Sequence, residues 1–249
     1  MWLTVPDTLK NLLWEGPLEV SADEVVDRLE REWRAQGTKD SVHDIIRDLP
    51  TVSIGLPETW PLTQIYPHKK MPPTLRVKLD ESDFYFVRMP CSFRPRSVKS
   101  RIVWARFLVN LLPDSARQQP TAYDLHPLGV MQEVKRNVKV SLSPSLKFQE
   151  VEVGVGNLEF GFEYPELQPI ISATGAGEAK PMWDYSETKG IAVQGSKWMH
   201  MLVKTPKGFK PVRATLDLAA DVEVQGFKIA MLAIRGREQS QDHLTVKLV

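Results

Sequence analysis

The chain is expected to be mainly β, an antiparallel two-sheet β-sandwich with a small N-terminal helical region, and three features of its 249 residues lead there. After Pro73, apolar residues recur at every second position in segment after segment, with turn residues between segments and no helical period beyond residue 50. Near the C-terminus Val212, Ala214, Leu216, Leu218, Ala220, Val222 and Val224 alternate with Arg213, Thr215, Asp217, Ala219, Asp221 and Glu223, the pattern of a strand with one wet face. Residues 149–164, QEVEVGVGNLEFGFEY, alternate on both sides of Gly156-Asn157, a pair suited to the positive φ of a hairpin turn. Many strands with few helices give two packed sheets, with a closed barrel as the alternative.

Taken in order, Asp7–Leu13 reads as a short helical turn stopped by Gly16-Pro17. Ser21 and Glu24 form a capping box for a helix reaching Gln36, with Val25, Val26, Leu29 and Trp33 on its apolar face. A second helix spans Ser41–Leu49 and is closed by Pro50. Six prolines between residues 50 and 73 mark a connector with short strands at Val52–Ile54 and Leu62–Tyr66. Residues 1–65 are thus expected as helical region and connector, and 66–249 as the sandwich. Further strands are expected at Thr74–Leu79, Phe84–Met89, Ile102–Leu112, Thr121–Leu125, Asn137–Leu142, Leu146–Val155, Leu158–Tyr164, Pro169–Ala173, Ile191–Gln194, Lys197–Val203, Lys228–Ile234 and Leu244–Leu248. Ile102–Leu112 is apolar on both parities and should be central and covered on both faces.

Composition excludes several classes. A single cysteine, Cys91, allows no intramolecular disulfide, and the five histidines are scattered without metal-ligand spacing, so neither a metal nor a cofactor is expected. The first residues lack a signal peptide's cationic start and apolar run, and no stretch of about 18 apolar residues offers a spanning helix; a cytoplasmic setting is expected. The net charge of +1 hides a segregation: residues 1–67 hold twelve acids against six bases, and 68–149 six acids against fifteen bases. Attraction between these blocks within the fold is the favoured reading.

Cys91 in MPCSF reads as a packed thiol, and His200, sharing parity with Trp198 and Leu202, as a hydrogen-bonded core histidine. Gly175 and Gly177 in the loop Ser172–Glu178 would let N–H groups gather round an anion, although a plain inter-strand loop is the simpler reading. Trp183, Tyr185 and Trp198 would suit stacking on a sugar if exposed, but tryptophans usually supply core area. No nucleophile, carboxylate pair or nucleotide loop has the spacing of an enzyme, so none is expected.

The expectation that follows is a non-enzymatic intracellular adaptor, regulator or complex subunit acting through a protein partner. Its contact surfaces would be the apolar face near Trp2, Trp14 and Trp33 and the basic loop with Arg94, Arg96, Lys99 and Arg101. The first alternative is a membrane-active protein that, after a conformational change, inserts the hairpin 146–164. Val155 would stand beside Leu158, Val153 beside Phe160 and Val151 beside Phe162, giving one apolar and one acidic face. The second alternative is nucleic-acid binding through the basic, aromatic-rich block 88–106.

Overall fold

The computed structural model of the protein describes residues 12–20, 31, 35, 49–65, 71, 73–97, 100–113, 119–132, 138–140, 160–162, 170–187, 192–224, 227–232 and 244–249. Two antiparallel sheets carry the fold, as expected, and they do not close into a barrel. The first sheet runs β1 (Leu12–Pro17), β3 (Thr51–Gly55), β5 (Ser82–Arg94), β13 (Gly195–Pro206) and β7 (Thr121–His126), with β4 (Glu58–Pro61) also paired to β5. The second runs β10 (Phe160–Phe162), β9 (Val138–Val140), β8 (Gly129–Gln132), β11 (Ile170–Thr174), β12 (Met182–Ser186), β6 (Ser100–Leu112), β14 (Arg213–Val224), β15 (Phe227–Leu232) and β2 (Glu19–Val20), and β16 (Thr245–Lys247) joins β14. Among the described residues, no helix is long and apolar enough to cross a membrane.

Period two decides what each sheet buries. Val87, Met89, Cys91 and Phe93 of β5, with Met199, Met201 and Val203 of β13, belong to one core with Ala105, Phe107, Val109 and Leu111 of β6 and the even-numbered residues 214–224 of β14. Each large apolar side chain so placed contributes roughly 1.5–3 kcal/mol against its exposed state. β6 is central, between β12 and β14. Its second face is only half-buried, however, because the polar Arg106 and Asn110 alternate there with Trp104 and Leu108. A smaller cluster of Leu62, Met71, Leu75, Phe84 and Leu202 lies on the outer face of the first sheet.

Four local expectations are corrected. Leu12 and Leu13 lie in a strand rather than a helical turn, and Gly16-Pro17 continues that strand, pairing with Val52 and Thr51; β1 is an edge, where a proline's missing N–H costs no ladder bond. Leu62–Ile65 forms helix α1 and Pro73–Lys78 helix α2, where strands were expected. Leu75, Val77 and Leu79 mimic period two, yet Leu75 is buried and Val77 is 70% exposed; Pro73, with φ already set for a helix, opens α2. Ile191–Gln194 likewise yields no strand among its described residues. Of the helix predicted from Ser21 to Gln36, Arg31 and Ala35 are described, and both stand in helix. The helix at Ser41–Leu49 is described only at Leu49, which is buried.

Candidate functional site

At one end of the second sheet, β8 is flanked by β11 and β9, and β10 lies beyond β9. β8 pairs with β11 through Gly129↔Ser172 and Val130↔Ile171. It pairs with β9 through Val130↔Val140, Met131↔Lys139 and Gln132↔Val138. β9 pairs with β10 through Val138↔Phe162, Lys139↔Gly161 and Val140↔Phe160. From Gly129 to Val138 is nine positions along the chain, and from Ser172 back to Phe162 is ten. The β8–β11 and β9–β10 ladders therefore share one hairpin register, offset by a single residue of the kind a β-bulge absorbs. Among the described residues, the hairpin expected around Gly156-Asn157 meets this edge at Phe160–Phe162, with Phe160 and Phe162 on β10 opposite Val140 and Val138. Val151, Val153, Val155 and Leu158 lie outside the described residues.

The outer face of the first sheet holds a second constellation. Glu58↔Arg88, Arg88↔His200 and His200↔His126 are consecutive cross-strand partners, so one row crosses β4, β5, β13 and β7. The Arg88 guanidinium is ion-paired to Glu58 and lies over the rings of Trp198 and Trp60, at 4.8 and 5.5 Å from their centres. The His200 ring stacks on Phe86 at 5.5 Å and lies 5.8 Å from the His126 ring. Burial, helped by His126 and Arg88, pushes the His200 imidazole down to about 3, and burial lowers His126 as well. His200 is thus not a hydrogen-bonded core histidine: its Nδ1 is enclosed without a partner, as is that of His126.

Trp14 packs against the core, while Trp2, Trp33 and Lys99 lie outside the described residues. Arg94 pairs with Glu15 at 2.5 Å, and Arg101 pairs with Glu223 at 3.2 Å and Glu187 at 3.5 Å. Arg96, in the turn after β5, is also engaged. The Arg88–Glu58 and Arg94–Glu15 pairs join the basic block to the acidic N-terminal one, the internal pairing that the charge segregation suggested. Cys91 is a packed thiol, and burial pushes it up to about 12, too high for a nucleophile. In the loop after β11 the Gly177 N–H donates to the Ala122 carbonyl and the Glu178 N–H to that of Gly175, so these donors are spent within the fold. Trp183 and Tyr185 are fully buried on β12 and offer no sugar platform.

No protein-family model and no curated protein matches this chain. Solved structures do match. A pore-forming protein is 11% identical with a TM-score of 0.36, over 75% of this chain and 82% of its own. The Clostridium perfringens delta-toxin is 7% identical at 0.33, over 70% and 83%. The Clostridium perfringens NetB toxin in its membrane-inserted form is 9% identical at 0.33, over 80% and 93%. None of these three is an intracellular adaptor, and on that finding the readings of this chain as a cytoplasmic adaptor, regulator or complex subunit with a protein partner are corrected. Overlaps this loose carry no mechanism.

The sheet-edge register escaped the sequence reading, although a signal for it was present. From Leu128 to Ser143 the even positions Leu128, Val130, Val134, Val138, Val140 and Leu142 are apolar, interrupted by Gln132 and Arg136. The odd positions from Glu133 on, Glu133, Lys135, Asn137, Lys139, Ser141 and Ser143, are polar, after Gly129 and the apolar Met131. Val138–Val140 of that run pair with Phe160–Phe162. The row of Glu58, Arg88, His200 and His126 had no such signal, since it depends on the register of four strands distant in sequence.

Proposed function

We propose that this is a non-enzymatic, membrane-active protein whose segment from β8 to β11 opens into one long amphipathic β-hairpin and inserts into a bilayer. The shared register of the β8–β11 and β9–β10 ladders carries the reading. If β9 swings away from β8, residues 129–140 become one arm and 160–172 the other, and both existing ladders are kept. Among the described residues, three β8–β9 pairs are given up. Each arm then exceeds the roughly 9–11 residues a tilted strand needs to span the hydrocarbon core. Alternation of apolar and polar residues over 128–143 supplies a lipid face and a wet face, as a transmembrane barrel requires. The one-residue offset falls between Phe162 and Ile170, where Pro165 and Pro169 stand; a bulge there tolerates residues without a ladder N–H.

Two disulfide locks test the reading. Met131→Cys with Lys139→Cys ties β8 to β9, while Gly129→Cys with Ser172→Cys ties β8 to β11. On dye-loaded phospholipid vesicles the first variant should be silent when oxidised and recover on reduction, and the second should release dye in both states. Release by the oxidised β8–β9 lock equal to that of the unmodified protein would refute the opening, and no release by the unmodified protein on any bilayer would refute membrane activity.

A further inference from the structure

The row on the outer face of the first sheet sits at the root of the opening segment. β7 ends at His126, and Pro127-Leu128 leads directly into β8 at Gly129. The Leu128 carbonyl accepts from the Ala173 N–H at 2.8 Å, so the two arms meet immediately past the histidine. His126 and His200 are direct cross-strand partners, and that pair ends the β7–β13 ladder on the side of β8.

The surroundings of the two rings are poorly suited to positive charge. Arg88 faces His200 from β5, and its own counter-ion, Glu58, lies one strand further off on β4. Asp124 shares the His126 face of β7, but its Oδ1 already accepts the Leu125 N–H at 2.9 Å. Phe86 covers His200 with a ring rather than an acceptor. The enclosed Nδ1 of each imidazole has no partner among the described residues, so a proton there would be buried without compensation.

We propose that the His126–His200 pair is an acid-operated latch: neutral imidazoles hold β7 against β13 at the root of β8, and mild acid favours the state in which that end of the ladder has opened and the rings are hydrated and charged. This deepens, and rests on, the reading of β8–β11 as the opening segment, although the loosening of β7 is measurable without a membrane.

The expected size follows from linkage. In the closed state His200 stays unprotonated until about 3, whereas in an opened state it regains the ordinary value of 6.5. Between pH 7.5 and 5.5 the proton uptake of the opened state alone raises its population about tenfold. The depressed value belongs to the closed form, so stability is lost as pH falls through 6.5 and is complete above it. His126, lowered in the same direction, adds to the factor.

The test has two arms on the whole chain. Hydrogen exchange of the residue 124–126 amides, corrected for the intrinsic pH dependence, should show protection falling about tenfold or more from pH 7.5 to 5.5. Dye release from phospholipid vesicles should accelerate over the same interval. In the double variant His126→Gln, His200→Gln both pH steps should disappear. Titration of the wild-type imidazole resonances is independent of how well that variant folds, and both should stay neutral well below 6.5. Flat protection, or imidazoles titrating near 6.5, overturns the latch. Flat protection with undiminished release at both pH values overturns the latch alone, whereas acid loosening without release at any pH keeps the latch and defeats the membrane reading.

Discussion

Removing the hydroxyl of Tyr185 should make this protein more stable. The ring sits in the core on β12, fully buried, paired to Ala105 and Ile171 across the sheet and 6.0 Å from Phe93 of the facing sheet. Its Oη is enclosed with no hydrogen-bond partner, and burial, aided by nearby Cys91, strongly opposes its ionisation. A buried hydroxyl that has given up water without replacement costs roughly 1–3 kcal/mol. Tyr185→Phe keeps the ring and deletes that cost, leaving only a small void where the oxygen stood. A net gain of about 1 kcal/mol should raise Tm by roughly 2–4 °C in a domain of this size. Thermal melts and urea titrations should agree, with the midpoint rising at constant m-value. A loss of 1 kcal/mol or more would refute the reasoning, because it would mean that the hydroxyl holds a bound water whose partners are orphaned by the change.

Two further predictions concern a loop and an ion pair. Gly175 has φ of 90°, and a Cβ there would stand 2.7 Å from the Lys180 carbonyl oxygen and 2.9 Å from Pro181 Cα. Gly177, with φ of 86°, has open space. Gly177→Ala should therefore cost about 1–2 kcal/mol, the left-handed penalty alone, and Gly175→Ala clearly more; equal losses in urea titrations would contradict the clash. Burial raises the Asp83 carboxyl, but the Gly208 N–H, Lys207 and Lys210 outweigh it and hold the group below 3.8. A depressed carboxylate contributes stability above its unfolded value and loses it as pH falls through the folded one. Asp83→Asn should thus cost about 0.5–1 kcal/mol at pH 7 and almost nothing near pH 2, a difference that melts at the two pH values will show or exclude.

The parts of the fold legible in the sequence are those where one face of a strand is dry and the other wet. Arg213–Val224 is such a strand, and its predicted inward residues are the buried ones. Met182–Ser186 obeys the same rule, with Trp183 and Tyr185 inward and Asp184 outward on Arg106 at 2.7 Å. It is absent from the expected strands because it is short and follows Pro181. α2 was misread because three apolar residues at period two are common to a strand and to a helix whose middle residue faces solvent. The sites were less legible than the fold. Cross-strand neighbours such as Arg88, His126 and His200 are brought together by register, which a linear reading does not contain. The β8–β11 edge was half visible, in the alternation beyond Leu128.

The segment 12–20 belongs to both layers: β1 edges the first sheet, β2 edges the second, and Leu18 between them is buried with its N–H on the Pro50 carbonyl. Val20 finds its partner at Met231, near the other end of the chain. At roughly 5–20 residues per second, a ribosome needs on the order of 10–40 s to travel from one to the other. Throughout that interval the nascent second sheet lacks its closing strand and presents unpaired N–H and C=O groups. Such an edge is a template for other chains. The order of synthesis thus leaves this protein dependent, while it is being made, on whatever keeps neighbouring copies apart.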